Sequence, residues 1–262
     1  MNYYWTQPLP RMFETDDAGF LLPPASSPED IDPGNIMTLK DIIQHCDTIF
    51  DADLVSLYFR GSQLFDRQNS DFDTVVVVRN PPAISPARLS VLLTNALSGK
   101  YPSIKYYDTD IMTLDELAGD RYRQFIIKVL SVRVFGPAVE MNYPGFQPNR
   151  EIAFLNKKLP EKIAAVRLAY PTLKGIGLVL CRNHCIKYLL RTAYELVIEK
   201  EGGYTRDLAF CEKAFRRHYP QYGHLSSELL SWYDVREVPA EEFWCVVDQL
   251  VFLFGNEIKK IF

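Results

Sequence analysis

The sequence has no long apolar run, no excess of basic residues and few cysteines. No stretch of about 18 uncharged apolar residues occurs, so we expect no transmembrane helix. The first 20 residues mix polar, aromatic and acidic side chains, which predicts no signal peptide. Lys and Arg number 29 against 33 Asp and Glu, a net charge of −4. Non-specific nucleic-acid binding usually needs a basic excess, so only a local basic patch would support it here.

The five cysteines are few and odd in number, which favours free thiols in a reducing, cytoplasmic compartment. Cys181, His184 and Cys185 lie within about one turn of a predicted helix. A zinc site needs about four ligands, and the sequence has no second cluster at suitable spacing. We therefore interpret these thiols as packed side chains.

Hydrophobic residues make up 47% of the 262 residues and charged residues 24%, which is ordinary for a folded protein. Residues 1–37 are rich in Pro, Asp and aromatics, and we treat them as an N-terminal extension. An Asp-Asp-Ala-Gly turn between short apolar runs predicts a small hairpin within residues 13–24.

Two different patterns of predicted secondary structure follow one another along the chain. Residues 38–140 alternate strand and helix patterns, residues 138–149 form a Pro/Asn/Gly-rich linker, and residues 150–262 are helical throughout. We predict an α+β domain over 38–140, with a small mixed β-sheet and flanking helices, then an all-α domain over 150–262. The predicted strands are 54–59, 72–78, 103–113 and 132–137. The predicted helices are 38–50, 86–97, 114–127, 151–168, 172–200, 206–218, 223–233 and 239–262.

The chemically informative segment lies between the first two predicted strands. Arg60-Gly61-Ser62 ends one strand, and Asp71-Phe72-Asp73 opens the next. Gly61 permits a sharp turn and a close approach of backbone to a ligand, and the N–H and hydroxyl of Ser62 can bind phosphate oxygens. Asp71 and Asp73 alternate with Phe72, so their carboxylates point to one face. Two adjacent carboxylates are best explained by a shared divalent cation, and Mg²⁺ prefers such ligands together with substrate phosphates.

Gly61, Ser62, Asp71 and Asp73 resemble the signature of the nucleotidyltransferase superfamily, which includes polymerase-β-like enzymes and antibiotic nucleotidyltransferases. The resemblance covers roughly residues 38–137. It implies a short mixed sheet flanked by helices, Mg²⁺ or Mn²⁺, and a nucleoside triphosphate as co-substrate. In this superfamily a later strand often supplies a third carboxylate.

The segment from Asp110 to Leu117 resembles the element that carries this third carboxylate. Asp110 is our choice, and Asp108, on the same strand face, is the alternative. The third carboxylate would bridge a metal ion or accept the proton of the acceptor. Asp71, Asp73 and Asp110 are thus the expected catalytic and metal-binding residues.

The chain departs from the superfamily just after Gly-Ser. Many relatives carry Ala-Arg-Gly there, whereas Gln63-Leu64-Phe65 follow here, and we expect Arg67 to replace the missing basic residue. Similar enzymes also use a basic residue of the helical domain on the triphosphate. Lys187 is the first candidate by resemblance and Arg191 the second, although a solvated helix face explains both equally well.

The last predicted helix has an unusually wide apolar surface. Core packing is the favoured interpretation, and a homodimer contact or partner surface is the alternative.

The residues and the resemblance together predict transfer of a nucleoside monophosphate from a nucleoside triphosphate to an acceptor hydroxyl. The acceptor would be a small molecule, an RNA end such as that of tRNA, or a protein. The alternative is an inactive regulator or interaction module that still binds nucleotide.

Overall fold

The structure is a computed structural model that describes residues 12–23, 31–65, 71–142 and 145–262, apart from the side chains of Ser62 and Phe65. Contacts divide it into two compact units. One comprises residues 14–146, and the other comprises residues 147–262 with Met12 and Phe13.

The first unit is built on a four-stranded mixed sheet in the order β3-β2-β1-β4. β1 runs antiparallel to both β2 and β4, and β2 runs parallel to β3. The strands are β1 (Leu54–Arg60), β2 (Phe72–Val78), β3 (Tyr107–Thr113) and β4 (Ser131–Phe135). The helices of this unit are α1 (Pro33–Phe50), α2 (Pro86–Leu97), α3 (Leu114–Gly119) and α4 (Arg121–Val129).

Each face of the sheet is covered by a pair of helices. α1 and α2 pack on one face through an apolar cluster that includes Ile42, Leu93, Phe72 and Val76. The other face carries Tyr58, Val75, Val77 and Met112 against residues of α3 and α4 such as Leu117, Ile126 and Ile127. The apolar run of β2 is therefore buried on both sides, as a central strand requires.

Two predicted helix boundaries in this unit were wrong. The predicted start at residue 38 is too late, because the Asp32 side chain accepts a hydrogen bond from the Gly34 N–H at 2.8 Å and Pro33 occupies the first turn. The helix predicted over 114–127 is two helices. Asp120 interrupts it and caps α4, accepting from the N–H groups of Tyr122 at 2.8 Å and Arg123 at 3.3 Å.

The third strand is shorter than predicted over 103–113. Ile104 N–H donates to the carbonyl of Tyr101 at 3.0 Å, so this segment turns, and β3 begins at Tyr107.

The predicted hairpin is present in residues 13–22. Thr15 and Leu21 form an antiparallel bridge, and Asp16 Oδ1 accepts from the N–H groups of Ala18 and Phe20. Pro24 and residues 1–11 of the predicted extension lie outside the described residues.

The second unit is helical in its regular structure, as predicted. Its helices are α5 (Leu159–Ala169), α6 (Ile176–Glu195), α7 (Ile198–Glu201), α8 (Leu208–His218), α9 (Gly223–Ser231) and α10 (Ala240–Ile261), preceded by a 3-10 helix at Arg150–Asn156. The helix predicted over 172–200 is interrupted at both ends. Gly175, at φ 55°, precedes α6, and α7 is separate. No helix of the described residues is long and apolar enough to cross a membrane.

The last helix has one buried face, formed by Phe243, Val247, Leu250, Phe254 and Ile258. Core packing therefore accounts for much of its apolar surface. Phe252, at 74% exposed, points away from this face. A homodimer contact through the exposed side of this helix stays a prediction.

Candidate active site

Four polar residues lie side by side across the four strands of the sheet, in line with the start of β2. The pairing registers place Asp108 of β3 beside Asp73 of β2, Asp73 beside Arg60 of β1, and Arg60 beside Ser131 of β4. Residues paired across neighbouring strands point to the same face. This set of Asp108, Asp73, Arg60 and Ser131, which we call the polar row, thus lies on the face that carries Val75 and Met112 further along.

The turn after β1 brings the backbone against the Asp73 carboxylate. Gly61 has φ +90°, and a Cβ added there would lie 2.0 Å from Asp73 Oδ2. Only a glycine accepts both the backbone conformation and this contact. The immediate neighbour of the Gly61 backbone is therefore one of the two predicted acids, and the close approach of a ligand to Gly61 stays a prediction.

Asp71 precedes β2 and is exposed, whereas Asp73 is half-buried. Phe72 between them is completely buried and stacks on Phe59, with ring centroids 4.6 Å apart. Anchoring this ring in the core turns both neighbouring carboxylates toward the opposite face.

Hydroxyl groups on the other face hold β2 and β3 together. Thr74 Oγ1 and Thr109 Oγ1 are 2.9 Å apart, and Thr109 N–H donates to Ser90 Oγ of α2 at 2.9 Å. All three residues are buried. These bonds favour the register that places Asp108 beside Asp73.

The two candidates for the third carboxylate differ in position. Asp108 is exposed and level with Asp73, whereas Asp110 is half-buried and level with Val75, one step further into the sheet. Asp110 Oδ1 also accepts a hydrogen bond from the N–H of Ile111 at 2.9 Å. Both share the face of Asp73, and Asp108 is its direct neighbour.

The acidic residues fit a cation that arrives with phosphates rather than one held by the protein alone. Within the described part of the chain, no three acidic, histidine or cysteine side chains are grouped as a metal site. Mg²⁺ usually takes one or two carboxylates from the protein and completes its shell with waters and substrate phosphates. Asp71 and Asp73 supply that number, beside a turn into which a phosphate can come close.

Two predicted phosphate ligands have side chains that are not among those the structure describes. Arg67 lies outside the described residues, as does the side chain of Ser62.

The helical unit holds the other predicted phosphate ligands on α6. Lys187 is half-buried, with Nζ 5.7 Å from the centroid of the Tyr233 ring. Arg191 is half-buried, and its Nε is buried without a hydrogen bond to any of the described residues. Burial and the nearby charge of Arg206 lower the pKa of Arg191 to about 10.

Arg206 is a further basic residue of the helical unit. It precedes α8 and lies close enough to Arg191 for the two positive charges to repel each other. The signal in the sequence was its basic character alone, because Arg191 and Arg206 belong to different segments. The Glu195 carboxyl interacts electrostatically with both guanidinium groups.

Glu195 lies one turn after Arg191, is 2% exposed, and accepts a hydrogen bond from Asn156 Nδ2 at 2.7 Å. Burial raises its pKa to about 7, against the lowering effects of Asn156, Arg206 and Arg191. Below the ordinary value of 4.5 the carboxyl is neutral in both the folded and the unfolded chain. Between 4.5 and about 7 the unfolded chain ionises first, so stability falls as pH rises through this window.

Glu195→Gln should remove this fall in stability, because the amide keeps an oxygen acceptor for Asn156 and has no charge to bury. We expect the free energy of unfolding of the variant, relative to wild type, to rise by roughly 2 kcal/mol between pH 4.5 and pH 7.5. Urea unfolding at the two pH values measures it, with the exposed Glu241→Gln as control. An equal difference at both pH values would contradict the assignment.

The predicted thiol cluster of α6 contains a packed side chain, as expected. Cys185 is buried, and burial raises the pKa of its thiol to about 12. The His184 ring packs edge-on against Tyr188, with centroids 4.6 Å apart. All five cysteines are free, as expected.

The described residues combine a small mixed sheet, in which a glycine turn faces an Asp-x-Asp strand, with a helical unit. The crystal structure of the spectinomycin adenyltransferase AAD(9) from Enterococcus faecialis, with ATP and spectinomycin, has this fold. The similarity covers 89% of this chain and 100% of that chain, with a TM-score of 0.50 and 13% sequence identity. The predicted fold class and the resemblance to nucleotidyltransferases are therefore confirmed at the level of the fold.

A second solved structure, a toxin-antitoxin with AMP-PNP, matches over 52% of this chain and 92% of that chain at 17% identity. Its TM-score of 0.27 is too low to support a comparison of folds. No protein-family model and no curated protein sequence matches the chain.

Proposed function

We propose that this chain transfers a nucleoside monophosphate from a nucleoside triphosphate to an acceptor hydroxyl. The observation that carries the proposal is the contact between the Gly61 turn and the Asp73 carboxylate. A tight backbone turn offers N–H groups to phosphate oxygens, and an acid at contact distance binds the ion that accompanies them. The fold shared with an adenylyltransferase supports the same chemistry.

In the proposed reaction the acceptor oxygen bonds to the α-phosphorus, the bond from that phosphorus to the bridging oxygen breaks, and pyrophosphate leaves. Asp71 and Asp73 would hold Mg²⁺ or Mn²⁺, which when bound neutralises charge on the phosphates. The Gly61 turn orients the phosphate chain. A third carboxylate, Asp108 or Asp110, accepts the proton of the acceptor hydroxyl.

Basic residues of the helical unit are further proposed ligands of the triphosphate, because similar nucleotidyltransferases use one there. Lys187 of α6 is the first candidate by that resemblance, and Arg191 of the same helix is the second.

A small-molecule hydroxyl is the acceptor we favour, in a cytoplasmic setting. AAD(9) is named for spectinomycin, and the similarity covers the full length of that chain. The net charge of −4 gives no general support for RNA as the acceptor.

The experiment is incubation of the purified chain with α-phosphate-labelled nucleotides, Mg²⁺ or Mn²⁺, and cell extract. We expect label to move to an acceptor with wild type and not with an Asp71→Ala/Asp73→Ala variant. Absence of transfer with every nucleotide, under conditions where the protein is folded, would sink the proposal. Nucleotide binding without transfer would instead identify the inactive regulator, which is the second candidate.

The third carboxylate is resolved by a pair of matched variants. If position beside Asp73 decides the role, Asp108→Asn should lower the transfer rate about 100-fold, while Asp110→Asn should lower it less than about tenfold. Initial rates at saturating nucleotide measure both. A larger loss of rate in Asp110→Asn than in Asp108→Asn would identify Asp110, the residue favoured from the sequence, as the third carboxylate.

A further inference from the structure

Arg60 is the one basic member of the polar row, and the proposed chemistry above gives it no task. It ends β1, directly beside Asp73, with Asp108 one strand further on the same face. Its side chain is half-buried, and among the residues that the structure describes its Nε has no hydrogen-bond partner. Within the described part of the chain, Arg60 forms no ion pair.

A guanidinium at this position has opposite effects on the two species that the site would bind. Its positive charge repels a divalent ion held by Asp71 and Asp73, so it weakens binding of the bare ion. The same charge attracts phosphate oxygens at the adjacent Gly61 turn, and its N–H groups match their geometry. Arg60 therefore favours simultaneous binding of the ion and the nucleotide over binding of either one alone.

We propose that Arg60 binds a phosphate group of the nucleotide and makes occupancy of the divalent-ion site depend on the nucleotide. The inference rests on the proposed function, because it assumes that this edge of the sheet binds a metal–nucleotide complex. Arg60 then has two functions: it is a ligand of the phosphates, and it disfavours retention of a cation once pyrophosphate has gone.

The two effects can be separated without turnover. Binding of Mn²⁺ alone is measured by electron paramagnetic resonance, and binding of a triphosphate analogue with a methylene bridge between the α- and β-phosphates is measured by calorimetry in the presence of Mn²⁺. For Arg60→Gln we expect the affinity for the analogue to fall about tenfold, since one charge-assisted contact is lost. We expect the affinity for Mn²⁺ alone to stay the same or rise up to about threefold.

The matched control is Arg79→Gln, which removes the same charge from an exposed position just beyond the opposite end of β2. It should change neither affinity by more than about twofold, given screening at a distance. Arg60→Lys keeps the charge but not the planar donor geometry, and it should lower analogue affinity about threefold with Mn²⁺ affinity unchanged. This variant carries the test if the glutamine variant does not fold.

A purely structural role for Arg60 predicts a different pattern, in which both affinities fall together. That pattern, or an unchanged analogue affinity in either Arg60 variant, overturns the inference and leaves the proposed function standing. Wild-type protein that binds neither Mn²⁺ nor the analogue defeats the proposed function, and the role of Arg60 with it.

Discussion

Gly61→Ala should lower nucleotidyl transfer by at least about 100-fold, because a methyl group at this position and the Asp73 carboxylate cannot occupy the same space. The added Cβ would lie 2.0 Å from Asp73 Oδ2 and 2.7 Å from its carboxyl carbon. Asp73 must then rotate away, or the turn must open. Either movement separates the acid from the phosphate-binding turn, which the proposed chemistry needs in contact. Initial rates of label transfer measure the effect.

The stability of Gly61→Ala should fall by about 1–3 kcal/mol, because alanine also has to adopt φ +90°. Two controls separate the causes. Gly202→Ala introduces a Cβ at φ +71° with nothing within 4 Å, so it tests the backbone cost alone. Gly99→Ala has neither a positive φ nor a near neighbour, and should behave as wild type. A Gly61→Ala protein with full transfer activity would show that the contact has no catalytic role.

Asp73→Asn should abolish transfer, with a loss on the order of 1000-fold, while the free energy of unfolding changes by less than about 1 kcal/mol. The amide keeps the size of the side chain but removes the charge that would hold the divalent ion. Stability changes little because Asp73 is only half-buried and lies between Asp108 and Arg60, so the repulsion relieved and the attraction lost offset each other in part. Transfer rates and urea unfolding on the same preparation measure the two quantities.

The control for Asp73→Asn is Asp115→Asn, which makes the same chemical change at an exposed position in the first turn of α3. It should leave the rate within about twofold of wild type. Full activity of purified Asp73→Asn would show that Asp73 is not the metal-binding acid.

The sequence was sufficient for those parts of the fold that depend on local pattern. The bounds of β2 and α2 were predicted correctly, since a continuous Val run and a Ser-Pro helix start are strong local signals. The start of α1 was missed because an Asp-Pro-Gly segment was assigned to the N-terminal extension, whereas Asp32 and Pro33 together are a helix start.

The candidate site was only half predictable from the sequence. Gly61, Asp71 and Asp73 are close in sequence, and alternation along one strand fixes their common face. The position of Asp108 relative to Asp73 depends on the register between two strands that are far apart in the chain. That register is set with the help of Thr74 and Thr109, whose hydroxyl contact is not visible in any local pattern. The placement of Arg206 near Arg191 depends in the same way on how separate segments pack.

The most direct test of the central claim is an experimental structure of this chain with Mg²⁺ and a triphosphate analogue that cannot be cleaved between its α- and β-phosphates. We expect the phosphates to contact the backbone at Gly61 and the divalent ion to be coordinated by Asp71 and Asp73. A nucleotide bound elsewhere, or bound at the Gly61 turn with neither carboxylate coordinating the ion, would contradict the account.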